Sequence, residues 1–220
     1  MSKKLSFAVI GCGRFGGNLA ITLAELGHDV LAVDSEEEKV NHLAEYVAFA
    51  VHADVGLEGA LDQIGLSNVD IAVIAISSDF EASIMATSIC RDKGIKEIIA
   101  KAKSEHHAKI LKQIGATKTV LPEKDMGIRL AHSLSRRSIY EYIELSSDYS
   151  IVEMEVPDQW IGRTINQIDL RANFGASVIG VVNQNVTNIN PEPGYCFQEE
   201  DRMLVLGTQD HILEIEGLSS

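Results

Sequence analysis

Three glycines in the stretch FAVIGCGRFGGNLA, residues 7–20, have a spacing that lets a main chain close around a phosphate. Gly11, Gly13 and Gly16 fit G-x-G-x-x-G. The first glycine permits a tight turn, the second admits a pyrophosphate to the backbone, and the third lets a helix pack closely on a strand. Such a pattern is weak when it stands alone. Here an apolar run leads into it and a helical pattern leads out, so the first amides of a helix would face an anion. Asp34 ends the next apolar run, where a carboxylate can accept from ribose hydroxyls and repel a 2′-phosphate; NAD or an adenine nucleotide fits better than NADP. Arg14, set between the glycines, is placed for bidentate contact with phosphate oxygens, or else is a solvated surface arginine. Asp54 closes the third apolar run in VHADV and would either approach the adenosine end of the same crevice or cap a following helix.

These residues need strands that end together. Apolar runs recur at Phe7–Ile10, Val30–Val33, Phe49–Val51, Ile71–Ile76, Ile98–Ala100 and Thr119–Leu121. Most are continuous rather than alternating, which suits strands covered on both faces, as in a parallel sheet. Helical patterns over Asn18–Leu26, Glu37–Glu45, Gly59–Ile64, Ala82–Lys93 and Glu105–Ile114 supply the crossovers, several closing on Gly27, Gly65, Gly94 or Gly115. The expected class is α/β: a Rossmann-like, doubly wound parallel sheet with a second, smaller α+β domain. A helix over Asp125–Arg137 and a polar and aromatic connector, SIYEYIELSSDYS, join the two. Beyond them we read a strand at Ile151–Val156, a helix around Thr164–Ala172, a strand at Ser177–Asn183, a turn near Asn183–Thr187, a strand at Met203–Leu206 and a last helix at Asp210–Glu216. The domains are placed at 1–138 and 139–220.

Composition narrows the function. The chain has 220 residues, 45% of them hydrophobic and 23% charged, and a formal net charge of −13. Phosphate backbones and anionic lipids would repel it, so nucleic acid is not an expected partner, and work at a membrane would require a protein partner. Apolar runs such as Ile71–Ile76 are far too short to span a bilayer, and MSKKLSFAVIG does not read as a signal peptide; a cytoplasmic location is expected. Cys12, Cys90 and Cys196 are odd in number and widely spaced, and read as reduced core thiols. A hydride-transfer enzyme would need an acid or base facing the nicotinamide. The C-terminal region offers Arg163, Arg171, Arg202 and a late His211; the His106/His107 pair reads as a solvated first helical turn. The residues describe a nucleotide binder without an evident reaction and not an enzyme. An NAD-dependent oxidoreductase or NADH-responsive redox sensor is the alternative.

FAVIGCGRFGGNLA, HDVLAVDSEEEKVN, AKAKSEHHAKILKQIGATKTVLPEKDMGIRLAHSLS, YIELSSDYSIVEMEVP and IDLRANFGASVIGV together resemble the RCK (regulator of potassium conductance) gating subunits of bacterial Ktr/Trk potassium uptake systems, over nearly the whole chain. The resemblance implies an RCK N-terminal domain with a crossover helix and an RCK C-terminal regulatory and dimerisation domain. It also implies dimers assembled into an octameric ring on the cytosolic face of a membrane-embedded potassium-translocating subunit, with ATP activating and ADP inactivating. Carried over by motif, Gly11, Cys12, Gly13, Arg14, Phe15 and Gly16 would hold phosphates and Asp34 the ribose. Ser35, Lys39, Ala53, Asp54, Ile76 and Lys101 would complete the nucleotide site. Arg14 would reach the γ-phosphate of a nucleotide in the neighbouring subunit. Glu123 of PEKDMG would help hold a divalent cation, Mg2+ or Ca2+, between two ATP molecules. Arg171, Ala172, Asn173 and Phe174 would fall at a cyclic di-AMP pocket between paired C-terminal domains, with ordinary dimer packing the alternative.

Overall fold

The computed structural model describes residues 4–57, 59–61, 64–135, 139–146, 148–184 and 186–219. The chain forms two compact units that divide between Pro122 and Glu123.

In the first unit, β1 (Ser6–Ile10), α1 (Arg14–Glu25), β2 (Asp29–Asp34), α2 (Glu37–Leu43), β3 (Phe49–His52), β4 (Ile71–Ile74), α3 (Phe80–Asp92), β5 (Glu97–Lys101), α4 (Glu105–Ile114) and β6 (Lys118–Val120) follow in order. The strands form one parallel sheet in the order β3-β2-β1-β4-β5-β6. Ala8, Val30, Ala32, Val33, Ala72 and Ile74 are all fully buried, as a sheet covered on both faces requires. The chain winds outward from β1 to β3 and then returns to β4 on the other side of β1. The carboxyl ends of β1 and β4 therefore flank the point where the winding reverses, where ligands bind in sheets of this kind.

One expected crossover differs. Gly59–Leu61 lie in turns rather than a helix, with a single 3-10 turn at Leu66–Asn68; Asp62 and Gln63 lie outside the described residues. Gly59 and Gly65 both take positive φ, 77° and 78°, which ends regular helix on either side.

In the second unit, α5 (Pro122–Ser135), whose first residue closes the first unit, is followed by β7 (Ile139–Glu144), β8 (Tyr149–Glu155), α6 (Ile165–Ile168), α7 (Leu170–Phe174), β9 (Ser177–Asn183), β10 (Val186–Asn188), β11 (Arg202–Thr208) and α8 (Gln209–Glu216). The strands make an antiparallel sheet in the order β10-β9-β11-β8-β7. Val152, Met154, Met203, Val205, Ile212 and Ile215 form its fully buried core.

Four expectations for this unit are corrected. The connector SIYEYIELSSDYS contains a full strand, β7, together with the start of β8; its Ser138 and Ser147 lie outside the described residues. The helix expected around Thr164–Ala172 is two short helices, because Asp169 adopts φ 45° and breaks the run, its carboxylate accepting from Ala172 N to start the second. The turn near Asn183–Thr187 is tighter than expected: Gln184 takes φ 44° and Val186–Asn188 already pair with β9. Asn185 lies outside the described residues, as do Arg136 and Arg137 at the expected end of α5 and Ser138 at the expected domain boundary. Finally, Cys196 is exposed, whereas Cys12 and Cys90 are buried, with burial pushing both of those thiols up to about 12.

A carboxylate nucleates the turn before β11. Asp201, 3% exposed, accepts from Asn183 Nδ2 at 2.6 Å, Tyr195 Oη at 2.8 Å and Gln198 N at 2.9 Å. Burial, followed by the bond to Asp201, holds the Tyr195 phenol up to about 12. Asp201→Ala removes the shared acceptor of three donors, two of them half-buried, and we expect it to destabilise the protein by about 2 kcal/mol, read as a lowered chemical-denaturation midpoint at unchanged slope.

Candidate nucleotide-binding site

The glycine turn is built by contacts that exclude side chains at two positions and leave space at the third. Gly11 turns at φ 96° and donates to Val33 O at 2.8 Å, tying the end of β1 to β2. A Cβ on Gly11 would lie 2.8 Å from Ile76 Cγ1. On Gly16 it would lie 1.9 Å from Gly11 O and 2.9 Å from Ala75 Cβ, so α1 sits directly against the ends of β1 and β4. Ala75 N donates to Ile10 O at 2.7 Å and closes that junction. Gly13 meets nothing within 4 Å. It also occupies the N-cap of α1 without a side-chain cap, which leaves the first amides of a twelve-residue helix directed outward.

Asp34 is set against this turn. It is 8% exposed; Oδ2 accepts from Cys12 N at 2.5 Å and Oδ1 from Glu36 N at 2.8 Å. A carboxylate has about four acceptor positions, so two bonds fix its orientation and leave capacity for sugar hydroxyls. Lys39 Nζ lies 3.9 Å from Asp34 Oδ1 and 2.5 Å from Glu36 Oε1; the bond to Glu36 leads in raising its pKa. The buried Cys12 thiol donates to Val33 O at 3.4 Å. Cys12, Gly13, Arg14, Asn18, Lys39 and His42 line a cleft of about 450 Å³ between α1 and α2.

The remaining first-unit candidates come from the ends of neighbouring strands. Lys101 ends β5, is only 7% exposed, and places Nζ 5.5 Å from the centre of the Phe15 ring. A lysine this buried beside a phosphate-type turn is a stronger signal than its sequence position conveys. Ile76 is half-buried against Gly11, and Ala53 N donates to Asp34 O at 3.0 Å. Ser35 is exposed, its carbonyl 2.9 Å from His52 Nε2. Asp54 is exposed and accepts from Gly56 N at 2.9 Å, shaping a turn rather than capping a helix. Arg14 is exposed at the first position of α1.

The other candidates belong to the second unit. Glu123 is exposed on the first turn of α5. On α7, exposed Arg171 donates to Ser177 Oγ at 2.9 Å, Asn173 Nδ2 donates to Ile168 O at 2.8 Å, and Phe174 packs edge-on against Trp160 at 5.5 Å; Ala172 is exposed. Among the described residues no group of three or more His, Cys, Asp or Glu gathers to hold a metal ion.

One first-unit histidine was misread. His106 is exposed, but His107 is 1% exposed and lies between α3 and α4, 3.0 Å from Ser83 Oγ. Its spacing of four from the buried Leu111 was the available signal that it faces inward.

Residues 7–122 match the TrkA-N domain and residues 151–219 the TrkA-C domain. The chain is 36% identical over 215 residues to the Ktr system potassium uptake protein A of Bacillus subtilis (strain 168), covering 98% of this chain and 97% of that protein. It shares the fold of the GsuK channel, with a TM-score of 0.67 at 20% identity over all of this chain and 40% of the channel. Over 60% of this chain and 33% of the other it resembles GsuK bound to ADP, with a TM-score of 0.50 and 25% identity.

Proposed function

The chain belongs to the RCK family of Ktr/Trk potassium uptake regulatory subunits, carrying a TrkA-N and then a TrkA-C domain, and from that premise we propose that it gates a membrane-embedded potassium-translocating partner by binding ATP or ADP. The observation that carries this reading is the turn at Gly13. The turn has open space and an uncapped helix start at Gly13, Cys12 N ties it to the Asp34 carboxylate, and the buried Lys101 ammonium lies against the nearby Phe15 ring. That set suits a nucleotide: amides and a lysine for phosphates, a carboxylate for the ribose.

Each residue then has a task. Gly11 and Gly16 hold the turn shut by contact, so the backbone at Gly13 can lie against the phosphates. Asp34 orients the sugar, and with Glu36 it makes a 2′-phosphate unfavourable. Ser35, Lys39, Ala53, Asp54 and Ile76 border the adenosine and phosphate positions. ATP differs from ADP by one phosphate and its charge, so only a conformation that gathers extra donors at that phosphate prefers ATP, and the assembly shifts by that preference. Arg14 supplies such a donor to the nucleotide of a neighbouring copy. Glu123 would be this chain's contribution to a divalent cation held largely by nucleotide phosphates.

In this reading the protein works as dimers in an octameric ring, held at the cytoplasmic side of the membrane by its partner. Among the described residues no helix is long and apolar enough to cross a membrane. The second unit is the regulatory and dimerisation domain, with Arg171 to Phe174 toward a cyclic di-AMP site.

Thermal melting with ATP, ADP, NAD and NADH tests the ligand. At a hundredfold excess over Kd a ligand specific for the native state adds about 2.7 kcal/mol, or roughly 5–10 °C for a chain of this size. ATP and ADP are expected to give that shift. A response to NADH alone would instead support a redox sensor. Light scattering with ATP is expected to give eight copies of the 24.0 kDa chain, and a nucleotide-indifferent monomer would remove the ring.

A further inference from the structure

Two further segments border the crevice: the turn after β4, which carries Ala75 and Ile76 against the glycine loop, and the end of β5 at Lys101 with the turn that follows from Ala102. A single buried imidazole joins the elements behind them. His107 Nδ1 accepts from Lys103 N at 3.4 Å, two residues beyond Lys101. His107 Nε2 lies 3.0 Å from Ser83 Oγ on the first turn of α3. Ser83 Oγ donates its own proton to Phe80 O at 2.8 Å, so toward the imidazole it can only accept. Proton bookkeeping therefore assigns the neutral tautomer with hydrogen on Nε2. The Phe80 ring packs against the imidazole at 4.9 Å, tilted by 48°, and Lys103 Nζ lies 5.6 Å from the centre of that ring. The cluster is closed: α3, the turn after β5 and the start of α4 are fastened by one side chain.

We propose that His107, acting through Ser83 and Lys103, is a positioning residue for the nucleotide site, fixing the turns after β4 and β5 so that Lys101 and Ile76 are held where the nucleotide needs them. The inference rests on the nucleotide-binding reading of the crevice. It requires the imidazole to stay neutral, because an imidazolium would point an Nδ1 proton at the Lys103 amide. Burial first, and then the Lys103 charge, hold the His107 pKa below 6.5. Around it α3 presents the uncharged Phe80 and Ser83, with Asp79 and Glu81 also at its start; the turn presents Lys103, and α4 carries Glu105 and His106. For a base with a depressed folded pKa, stability is full above the unfolded value of 6.5 and is lost as pH falls through it toward the folded value. Nucleotide affinity should fall only where the folded protein itself takes up that proton, below pH 6.5.

The test is titration of the full chain with ATP and with ADP, in buffered magnesium chloride, from about pH 7.5 down to about pH 5.5. In the wild type the affinity should drop further than the nucleotide's own protonation explains, by less than about tenfold at roughly pH 5.5 because the folded pKa lies below 6.5. His107→Gln can donate to Ser83 and accept from Lys103 without titrating. It should bind as the wild type does at neutral pH and lose that extra drop, the nucleotide's own titration being common to both proteins. His107→Ala should bind roughly tenfold more weakly throughout, with His107→Gln as its rescue. Nitrogen-15 NMR of the free protein should find His107 as the Nε2–H tautomer with a pKa below 6.5. Equal affinities and equal pH slopes for the wild type and His107→Gln would overturn the positioning role, as would the other tautomer. Failure of the wild type to bind ATP or ADP at any pH would instead bring down the nucleotide reading, and this inference with it.

Discussion

Gly16→Ala is expected to collapse the first unit's site and lower its stability by about 3 kcal/mol or more. The new Cβ would stand 1.9 Å from Gly11 O, 2.9 Å from Ala75 Cβ and 3.0 Å from Gly11 C. Two of these three atoms are backbone, so no rotamer change relieves the overlap. Either α1 lifts from the ends of β1 and β4, or the turn at Gly11 opens and its bond to Val33 O is lost. Alanine's better helix propensity returns at most about 1 kcal/mol. Gly13→Ala is the matched control: nothing lies within 4 Å and its φ is −66°, so the fold should lose only the roughly 1 kcal/mol by which glycine is preferred to alanine at an N-cap. Its methyl group would instead occupy the approach of the phosphates, with an expected loss of at least tenfold in ATP and ADP affinity. Melting curves and calorimetric titrations of the two variants separate packing from ligand contact. A Gly16→Ala protein that melts and binds like the wild type would show that the close contact is not structural.

The same distinction explains what could be read from the chain beforehand. Continuous apolar runs identified β1, β2 and β4 because burial on both faces leaves no other composition possible. The glycines and Asp34 were legible for a related reason: their spacing has geometric consequences, which the Gly16 contact and the Cys12 N to Asp34 bond display directly. Strand β7 was hidden. Its register shifts between Ile139 and Glu141, so its buried residues Ile139 and Tyr142 are three apart and show no alternation. The break between α6 and α7 depends on one aspartate in a left-handed conformation, which no periodicity announces. His107 was misread because a histidine in a first turn looks solvated until Ser83, from a different helix, is known to meet it. Lys101 was placed by resemblance alone; its burial beside Phe15 depends on α1 and β5 coming together. What escaped was either a local backbone departure from regular periodicity, as at Asp169 and β7, or a contact with a partner distant in the chain, as at His107 and Lys101.

Arg14→Ala should leave the fold and ADP binding nearly intact while removing ten- to a hundredfold of the preference for ATP, the range expected for one charge-assisted contact of about 1.5–3 kcal/mol. Arg14 stands at the first position of α1, whose first turn holds no acidic residue, and is exposed. A cation at the positive end of a helix is unfavourable by roughly 0.3–1 kcal/mol, so its removal should raise the melting temperature slightly or not at all. Local stability thus gives no reason for an arginine here, whereas a terminal phosphate does. The need is greater because Asp34 and Glu36 lie close by and the chain carries a net charge of −13. Each further negative charge on the nucleotide meets that field, and ATP can outcompete ADP only if a cation reaches its last phosphate. In the proposed ring the guanidinium does so across a subunit boundary, so the effect should appear in assembled protein and vanish in a dissociated chain. Titrations with ATP and ADP on both states, alongside Arg14→Lys, measure it. Lysine would retain the charge but not the bidentate geometry, and should restore only part of the preference. Equal losses for ATP and ADP in Arg14→Ala would mean that the residue holds phosphates common to both, and that discrimination lies elsewhere.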